Sequence, residues 1–441
     1  MALFGTDGIR GLANRDLTAE LALDVSVAAA HILVESSSNK DHIPTAIVGQ
    51  DSRASGEFLE AAVVAGLTSA GITVYRVGVL PTPAIAHLVA ESKCDLGVMI
   101  SASHNPMPDN GIKLFARGGG KLADAIEARI EARMGENWER PTGRNVGRAI
   151  NDDTATERYL KHVLASVEVP LKGLKIVVDG AHGAAYQVAP KVFHELGAEV
   201  ISIGCVPDGF NINHEVGATH PEALIAAVKL HQADYGIALD GDADRLQFVD
   251  ANGRLFNGDE VLYLMVAERL ARDEHVPGAV GTLMTNLAVE LALKAKGVVF
   301  VRAKVGDRYV LEELDKRGWI LGGEGSGHLL ALDKHTTGDG IVSALQVLQA
   351  CVRSGKTMAE LLRDVTLFPQ TLINVRLQSG QTWEELQKLP QLAAATYAVE
   401  AELGNTGRVL IRASGTEPLV RVMVEAQDAA QAKNCAQRIA N

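Results

Sequence analysis

The chain has 441 residues, 47% of them hydrophobic and 22% charged, and a formal net charge of -12. That length is too great for one compact core and divides into about three or four domains. The acidic balance repels phosphate backbones and anionic lipid, which excludes nucleic acid and membranes as partners, and any basic cluster has to be local.

Cys94, Cys205, Cys351 and Cys435 form no Cys-x-x-Cys pair and read as reduced, apolar-packed thiols of a cytoplasmic protein. The N-terminus meets Asp7 before any signal-like apolar run, and no run approaches the ~20 apolar residues of a membrane span.

Phe4-Gly5-Thr6-Asp7-Gly8-Ile9-Arg10-Gly11 reads as a glycine-rich loop ahead of a helix over 18–34. Arg10 is either a phosphate contact or part of an ordinary turn. From residue 44 a strand-helix alternation begins: a strand at 46–48, a polar loop over 49–53, a helix through Phe58, Leu59, Ala62, Val63 and Leu67, a strand at 72–75 and a helix over 83–90. The apolar strand at 96–100 then stops in Ser101-Ala102-Ser103-His104-Asn105-Pro106, with Lys113 shortly downstream. Ligands of open α/β sheets bind at such strand ends, so Ser103 is a candidate nucleophile with acid/base help from His104 and Lys113. The same residues also suit a polar turn.

After a charged, turn-rich stretch over 135–153 the pattern returns: helix 157–164, strand 174–178, helix 185–196, strand 199–202, helix 221–231 and strand 235–239. This last strand ends in Asp240-Gly241-Asp242-Ala243-Asp244-Arg245. A third cycle places strands at 279–283, 298–301 and 319–321 with helices over 287–296 and 308–316, and it ends in Gly322-Gly323-Glu324-Gly325-Ser326-Gly327-His328. Beyond residue 362 the pattern changes to strands at 372–376 and 408–412 and a terminal helix from 429, a small α+β domain. The implied domains are 1–150, 151–253, 254–365 and 366–441. Three α/β units whose loops differ in chemistry suggest one shared cleft.

Asp240, Asp242 and Asp244 crowd hard carboxylate oxygens together, as Mg²⁺ or Ca²⁺ requires. An EF-hand is excluded, because its sixth position is Arg245 and its twelfth Ala251. A solvated acidic turn, or Asp240 as a phospho-accepting nucleophile, remains open. Arg245 can address an anion beside the metal. Glu324, Ser326 and His328 alternate with glycines, which suits vicinal sugar hydroxyls or a plain turn. Gly118-Gly119-Gly120-Lys121 lacks the leading glycine of a P-loop. Arg412-Ala413-Ser414-Gly415-Thr416-Glu417-Pro418, with Arg421 on the next strand, combines guanidinium groups, hydroxyls and free backbone N–H groups into a phosphate cradle or a capped hairpin.

Taken in this order over essentially the full length, these four motifs resemble those of the α-D-phosphohexomutase superfamily. The resemblance implies three similar α/β domains with mixed sheets and a smaller C-terminal α+β domain around a central active-site cleft. It implies that Ser103 carries a transferable phosphoryl group, primed by a hexose 1,6-bisphosphate or by autophosphorylation. One Mg²⁺ per subunit would be held by Ser103's phosphate, Asp240, Asp242 and Asp244. Lys113 and Arg10 match active-site cations, Glu324 and Ser326 match sugar-hydroxyl ligands, and His328 matches an acid/base. Ser414, Gly415, Thr416 and Arg421 match distal-phosphate ligands supported by Arg412.

The opening motif, the Gly-Glu-Gly-Ser-Gly-His run and Lys334-His335-Thr336-Thr337-Gly338-Asp339-Gly340 look like the amino-sugar branch. That branch would interconvert glucosamine 6-phosphate and glucosamine 1-phosphate for cell-wall precursors. Gly325 stands where many members carry a larger residue. A glucose or mannose phosphomutase, a phosphatase, or a non-catalytic sugar-phosphate sensor are the alternatives. The partner is a small hexosamine phosphate, and a homodimer is compatible with the sequence.

Overall fold

The computed structural model describes residues 3–5, 7–35, 42–377, 381–413 and 419–441, whose strands form four sheets. In the first, β1 (Ile9–Leu12), β2 (Thr45–Gln50), β3 (Thr73–Val79), β4 (Leu96–Ile100), β5 (Asp109–Ala116) and β6 (Ala149–Asn151) lie in the order β1-β5-β4-β2-β3-β6. The second arranges β7 (Lys175–Asp179), β8 (Glu199–Ile203), β9 (Tyr235–Leu239), β10 (Leu246–Asp250) and β11 (Leu255–Phe256) as β11-β10-β9-β7-β8. The third runs β13-β12-β14-β15, from β12 (Gly278–Thr282), β13 (Val299–Ala303), β14 (Leu321–Gly323) and β15 (Leu329–Ala331). The fourth is antiparallel, with β16 (Gln370–Arg376), β17 (Gly407–Ala413) and β18 (Leu419–Ala426) in the order β16-β18-β17.

The first three sheets repeat one plan. Three parallel strands are followed by an antiparallel return strand, in the same spatial order: β5-β4-β2-β3, β10-β9-β7-β8 and β15-β14-β12-β13. Each polar motif is the turn between the third parallel strand and its return. The parallel strands are covered on both faces, which is why β4 and β9 are apolar and buried at every position. Val48 and Val98 point into a core with Leu59 and Val63, while their neighbours Ile47 and Met99 point to the other face.

That other face belongs to one apolar core running from Ile85 and Val89 through Tyr159 and Val178 to Leu264 and Leu345. The first three sheets are therefore joined through shared packing. The fourth has its own core around Val399, Val422, Val424 and Cys435.

Several elements differ from the sequence expectation. Residues 9–12, read as part of a glycine-rich loop, are strand β1, paired antiparallel to β5 with Arg10 opposite Gly111. The glycines serve close backbone approach: a Cβ on Gly111 would sit 2.9 Å from the Ile9 carbonyl. Arg10 and Lys113 thus stand on adjacent strands. The helix Gly258–Ala271 carried no amphipathic signal because it is buried on nearly every side, and the helix Gly340–Ser354, also absent from the sequence expectation, is buried from Gly340 to Cys351. Strand β11 joins the second sheet two residues beyond position 253.

Where the first three units meet, three imidazoles gather. His87 stacks on His162 with ring centroids 3.8 Å apart, and His162 Nε2 lies 2.9 Å from Nδ1 of buried His335. Burial, then the neighbouring rings, depress His87 to about 4 and His335 to about 3. These folded-state values lie below the unfolded one, so the unfolded chain binds more protons in acid. The cluster's contribution is full above pH ~6.5 and is lost as pH falls toward the folded values. The thermal midpoint of a His87→Phe variant should therefore fall less between pH 7 and 5 than that of the parent. Equal falls would contradict the account.

Candidate functional site

Ser103 sits just past β4 with φ 52°, a left-handed conformation that non-glycine residues hold only when their surroundings fix it. The fixing groups are buried. The Ser103 N–H donates to Ser101 Oγ at 2.9 Å, and Ser101 Oγ donates to Asp51 Oδ2 at 2.6 Å. Arg53, fully buried, reaches Asp51 Oδ2 at 3.1 Å and donates to the carbonyls of Ser103 and Asn105 at 3.0 and 2.9 Å. Asn213 Nδ2 donates to the same two carbonyls. Burial pushes the Asp51 carboxyl up, and Arg53 opposes it.

The Ser103 Oγ donates to Asp240 Oδ2 at 2.5 Å and lies 3.3 Å from His104 Nδ1. The loop carrying Asp240, Asp242 and Asp244 is anchored by backbone bonds from each of the first three units: Thr82 N to the Asp242 carbonyl, Ala184 N to Gly241 and Gly340 N to Ala243. Gly241 is needed because a Cβ there would meet the Ser103 carbonyl at 2.6 Å. A further backbone bond, Leu246 N to the Gly327 carbonyl at 3.1 Å, ties this loop to the Glu324–His328 turn.

The three aspartates are buried, with one oxygen from each within 4.8 Å of the others. Burial, then Asp244 and Asp242, push the Asp240 carboxyl well up. Asp242 Oδ1 and Asp244 Oδ1 are buried acceptors without a hydrogen bond. Orphaned hard oxygens in this arrangement fit a divalent cation. The nearest protein cation is Lys113, whose Nζ lies 2.7 Å from Asp242, 3.5 Å from Asp244 and 2.8 Å from Asp7. Burial works against its charge, but these three carboxylates hold it well above the ordinary lysine value.

Around this centre lies a cleft of about 420 Å³ lined by Asp7, Arg10, His104, Arg245, Glu324 and His328 among others. Asp7 pairs with Arg10 at 2.5 Å and with Lys121 at 2.5 Å, and Lys121 also pairs with Asp307. Burial opposes the Asp7 charge, yet Lys113, Lys121 and Arg10 hold its carboxyl well below the usual range. His328 lies 3.7 Å from Asp244 and 3.7 Å from Asp307. Burial, then Arg245 and Arg10, lower His104 to about 4. Glu324 accepts the Gly306 N–H at 2.9 Å, and Ser326 is exposed.

Ser103, Arg10, His104, Lys113, Arg245, Glu324, His328 and the three aspartates are thus brought to one place, while Ser326 lines the cavity that adjoins this cleft past Glu324. Arg412 and Arg421 oppose each other on β17 and β18, and burial, then Arg421, lower Arg412. Neither lines this cleft, and Ser414, Gly415 and Thr416 lie outside the described residues. Sequence reasoning missed Asp7, Lys121, Asp307, Thr82, Asn213 and the Asp51–Arg53 pair. The last pair was findable, since it follows β2 at the same sheet end as Ser103 follows β4.

Residues 1–140, 157–253 and 257–368 match the family models of phosphoglucomutase/phosphomannomutase α/β/α domains I, II and III, and 372–441 match its C-terminal domain. The phosphoglucosamine mutase of Polaromonas sp. (strain JS666) is 65% identical over 441 residues, covering 99% of this chain and 98% of the relative. That of Albidiferax ferrireducens is 63% identical with the same coverage. A phosphoglucomutase/phosphomannomutase family protein from Burkholderia thailandensis superposes with a TM-score of 0.80 at 26% identity, covering 99% of this chain and 96% of that one. An Aspergillus fumigatus N-acetylphosphoglucosamine mutase, solved with GlcNAc-6P and magnesium, shares the fold at a TM-score of 0.65 and 20% identity, covering 100% of this chain and 95% of that one.

Replacing Arg53 with Met would strand Asp51 as a buried, unpaired carboxylate. Denaturant unfolding should show a loss of about 3 kcal/mol. A change below about 0.5 kcal/mol, typical of a surface substitution, would remove Arg53 from the support of the Ser103 turn.

Proposed function

Because the chain belongs to the phosphoglucomutase/phosphomannomutase family and aligns end to end with phosphoglucosamine mutases, we propose that it interconverts glucosamine 6-phosphate and glucosamine 1-phosphate. The observation that carries the reading is the meeting of Ser103 Oγ with a buried aspartate triad at one side of a cleft walled by Glu324 and His328. A sugar-phosphate sensor has no use for such a carrier beside a metal site.

Ser103 carries the phosphoryl group on Oγ. Asp240, Asp242 and Asp244 would hold a Mg²⁺ against it, where the ion would offset charge on the oxygens in transfer. The Ser103 Oγ–P bond breaks as the free sugar hydroxyl bonds to phosphorus, and that hydroxyl's proton passes to His328, while Lys113, kept an ammonium by the carboxylates around it, steadies the oxygens in transfer. Oγ keeps the electron pair of the broken bond. Arg10, His104 and Arg245 line the transfer site and steady the phosphoryl oxygens, while Glu324 and Ser326 orient the sugar hydroxyls. The resulting bisphosphorylated sugar turns over within the cleft and returns its other phosphate to Ser103. The phosphate not in transfer is held by Arg412, Ser414, Gly415, Thr416 and Arg421. Priming of Ser103 comes from a hexose 1,6-bisphosphate or from autophosphorylation.

The fourth unit must move for this cycle. Its separate core and its polar junction with the third support that motion: Asn286 bonds both ways to the Phe368 backbone, and Glu425 pairs with Arg408 and accepts the Leu287 N–H. We place the enzyme in the cytoplasm, where thiols such as Cys94, Cys351 and Cys435 stay reduced. Among the described residues no helix is long and apolar enough to cross a membrane.

With Mg²⁺ and a priming hexose bisphosphate, purified protein should isomerise glucosamine 6-phosphate, and Ser103→Ala should lose at least about a thousandfold in kcat. Near-normal turnover by that variant would sink the assignment of the carrier. X-ray scattering should show a more compact particle with saturating substrate; identical profiles would count against closure of the fourth unit.

A further inference from the structure

Beyond Glu324 the cleft continues into a cavity of about 680 Å³ that reaches the Phe368 junction. The charged side chains lining it are Arg245, Glu324 and Asp259. Arg245 faces Asp244 at 3.7 Å, which leaves two carboxylates to set the charge of the remaining wall.

Asp259 stands in the first turn of the helix Gly258–Ala271 and is 4% exposed. Its Oδ2 accepts the backbone N–H of Asn286 at 2.9 Å. Its Oδ1 is buried and accepts no hydrogen bond. A buried carboxylate oxygen without a donor is costly, and native structures keep such groups where something else supplies the donor. Burial first, and Glu425 after it, push this carboxyl up to about 6 against the Asn286 N–H, the Thr285 hydroxyl and the charge of Arg302, so these neighbours satisfy its charge only in part.

The covering residue is Gly325. A Cβ built there would rest 3.4 Å from both Asp259 oxygens, in ordinary van der Waals contact, with nothing nearer. Gly327, two residues on, differs: its φ of +94° and its packing against the Leu246 backbone demand glycine. Neither conformation nor packing demands glycine at 325. Its missing side chain leaves Asp259 on the wall of the cavity that the sugar-binding turn also lines through Glu324 and Ser326.

We propose that Asp259, reached past Gly325, is the residue that recognises the ammonium group at C2 of the amino sugar and so separates it from neutral hexose phosphates. The inference rests on the mutase reading above. An ammonium supplies both the missing donor and the opposite charge, and such charge-assisted bonds are about twice as strong as neutral ones. A hydroxyl at the same carbon supplies the donor without the charge. The sugar presents opposite ends to Ser103 in the two half-reactions, so a contact made in either one is enough to separate substrates by kcat/KM. A longer side chain at 325, such as glutamine, would place its own amide over Asp259 and cover it.

The test compares kcat/KM for glucosamine 6-phosphate and glucose 6-phosphate in the parent, Asp259→Asn and Gly325→Gln. The parent should prefer the amino sugar. Both substitutions should cut that preference at least about tenfold, with the loss falling on the amino sugar. If Asp259 only braces the Asn286 backbone, Asp259→Asn slows both sugars alike and the ratio stays put, which overturns the proposal. Should that variant fail to fold, Gly325→Gln decides alone, and an unchanged ratio there overturns it equally. A parent that isomerises neither sugar removes the mutase reading, and this inference with it; a parent active on both with no preference removes only the inference.

Discussion

Three carboxylates held within a few ångströms of one another, out of contact with water, are the constraint around which this molecule is built. At about 4 Å two like charges repel by about 4 kcal/mol even at an effective dielectric near 20. No arrangement of Asp240, Asp242 and Asp244 is stable unless cations and donors come to it. The chain brings Lys113 from β5, Thr82 from the helix after β3, Arg245 from the loop itself and His328 from the third unit. Two acceptor oxygens are still left over, on Asp242 and Asp244. That residue of unmet demand is what a divalent ion would fill, and it makes the Ser103 Oγ beside Asp240 a place for a dianionic phosphoryl group in a protein whose overall charge is -12.

The repeated sheet plan explains how three loops of different chemistry reach that point. In each unit the motif lies where a parallel strand turns back into an antiparallel one, so the turns stand at equivalent corners of equivalent sheets. A single core running through the first three units holds those corners together. The described residues of the fourth unit have a core of their own, and hydrogen bonds through Asn286, Glu425 and Arg408 join it to the third. Rigid joining of the first three units and a polar attachment of the fourth are what a reaction requires when its intermediate must turn end over end.

The sequence disclosed the parts of this plan that are short, apolar and sharply ended. Strands 96–100 and 235–239, buried on both faces, stand out against the hydroxyls and carboxylates that follow, so Ser103 and the aspartates were legible at once. The return strands were not. Asp109–Ala116 begins in turn-forming residues, and Ile9–Leu12 is only four residues long and framed by glycines. The helix Gly258–Ala271 was invisible to periodicity because it is buried on nearly every side, whereas Gly340–Ser354 carries an apolar stripe that went unread. Among site residues, those in one contiguous motif were found; Asp7, Asp51, Arg53 and Asp307 were missed because their meaning lies in which strands end up adjacent. Asp259 belongs to the same class, since only the fold places it beneath Gly325.

The central claim is that the aspartate triad is a divalent-cation site serving Ser103. Mn²⁺ introduced into crystals of the protein, followed by an anomalous difference map at the manganese edge, tests it most directly. The account predicts one strong peak between Asp240, Asp242 and Asp244 on the side facing Ser103 Oγ. A map with no peak there, at metal concentrations that support turnover, would contradict it.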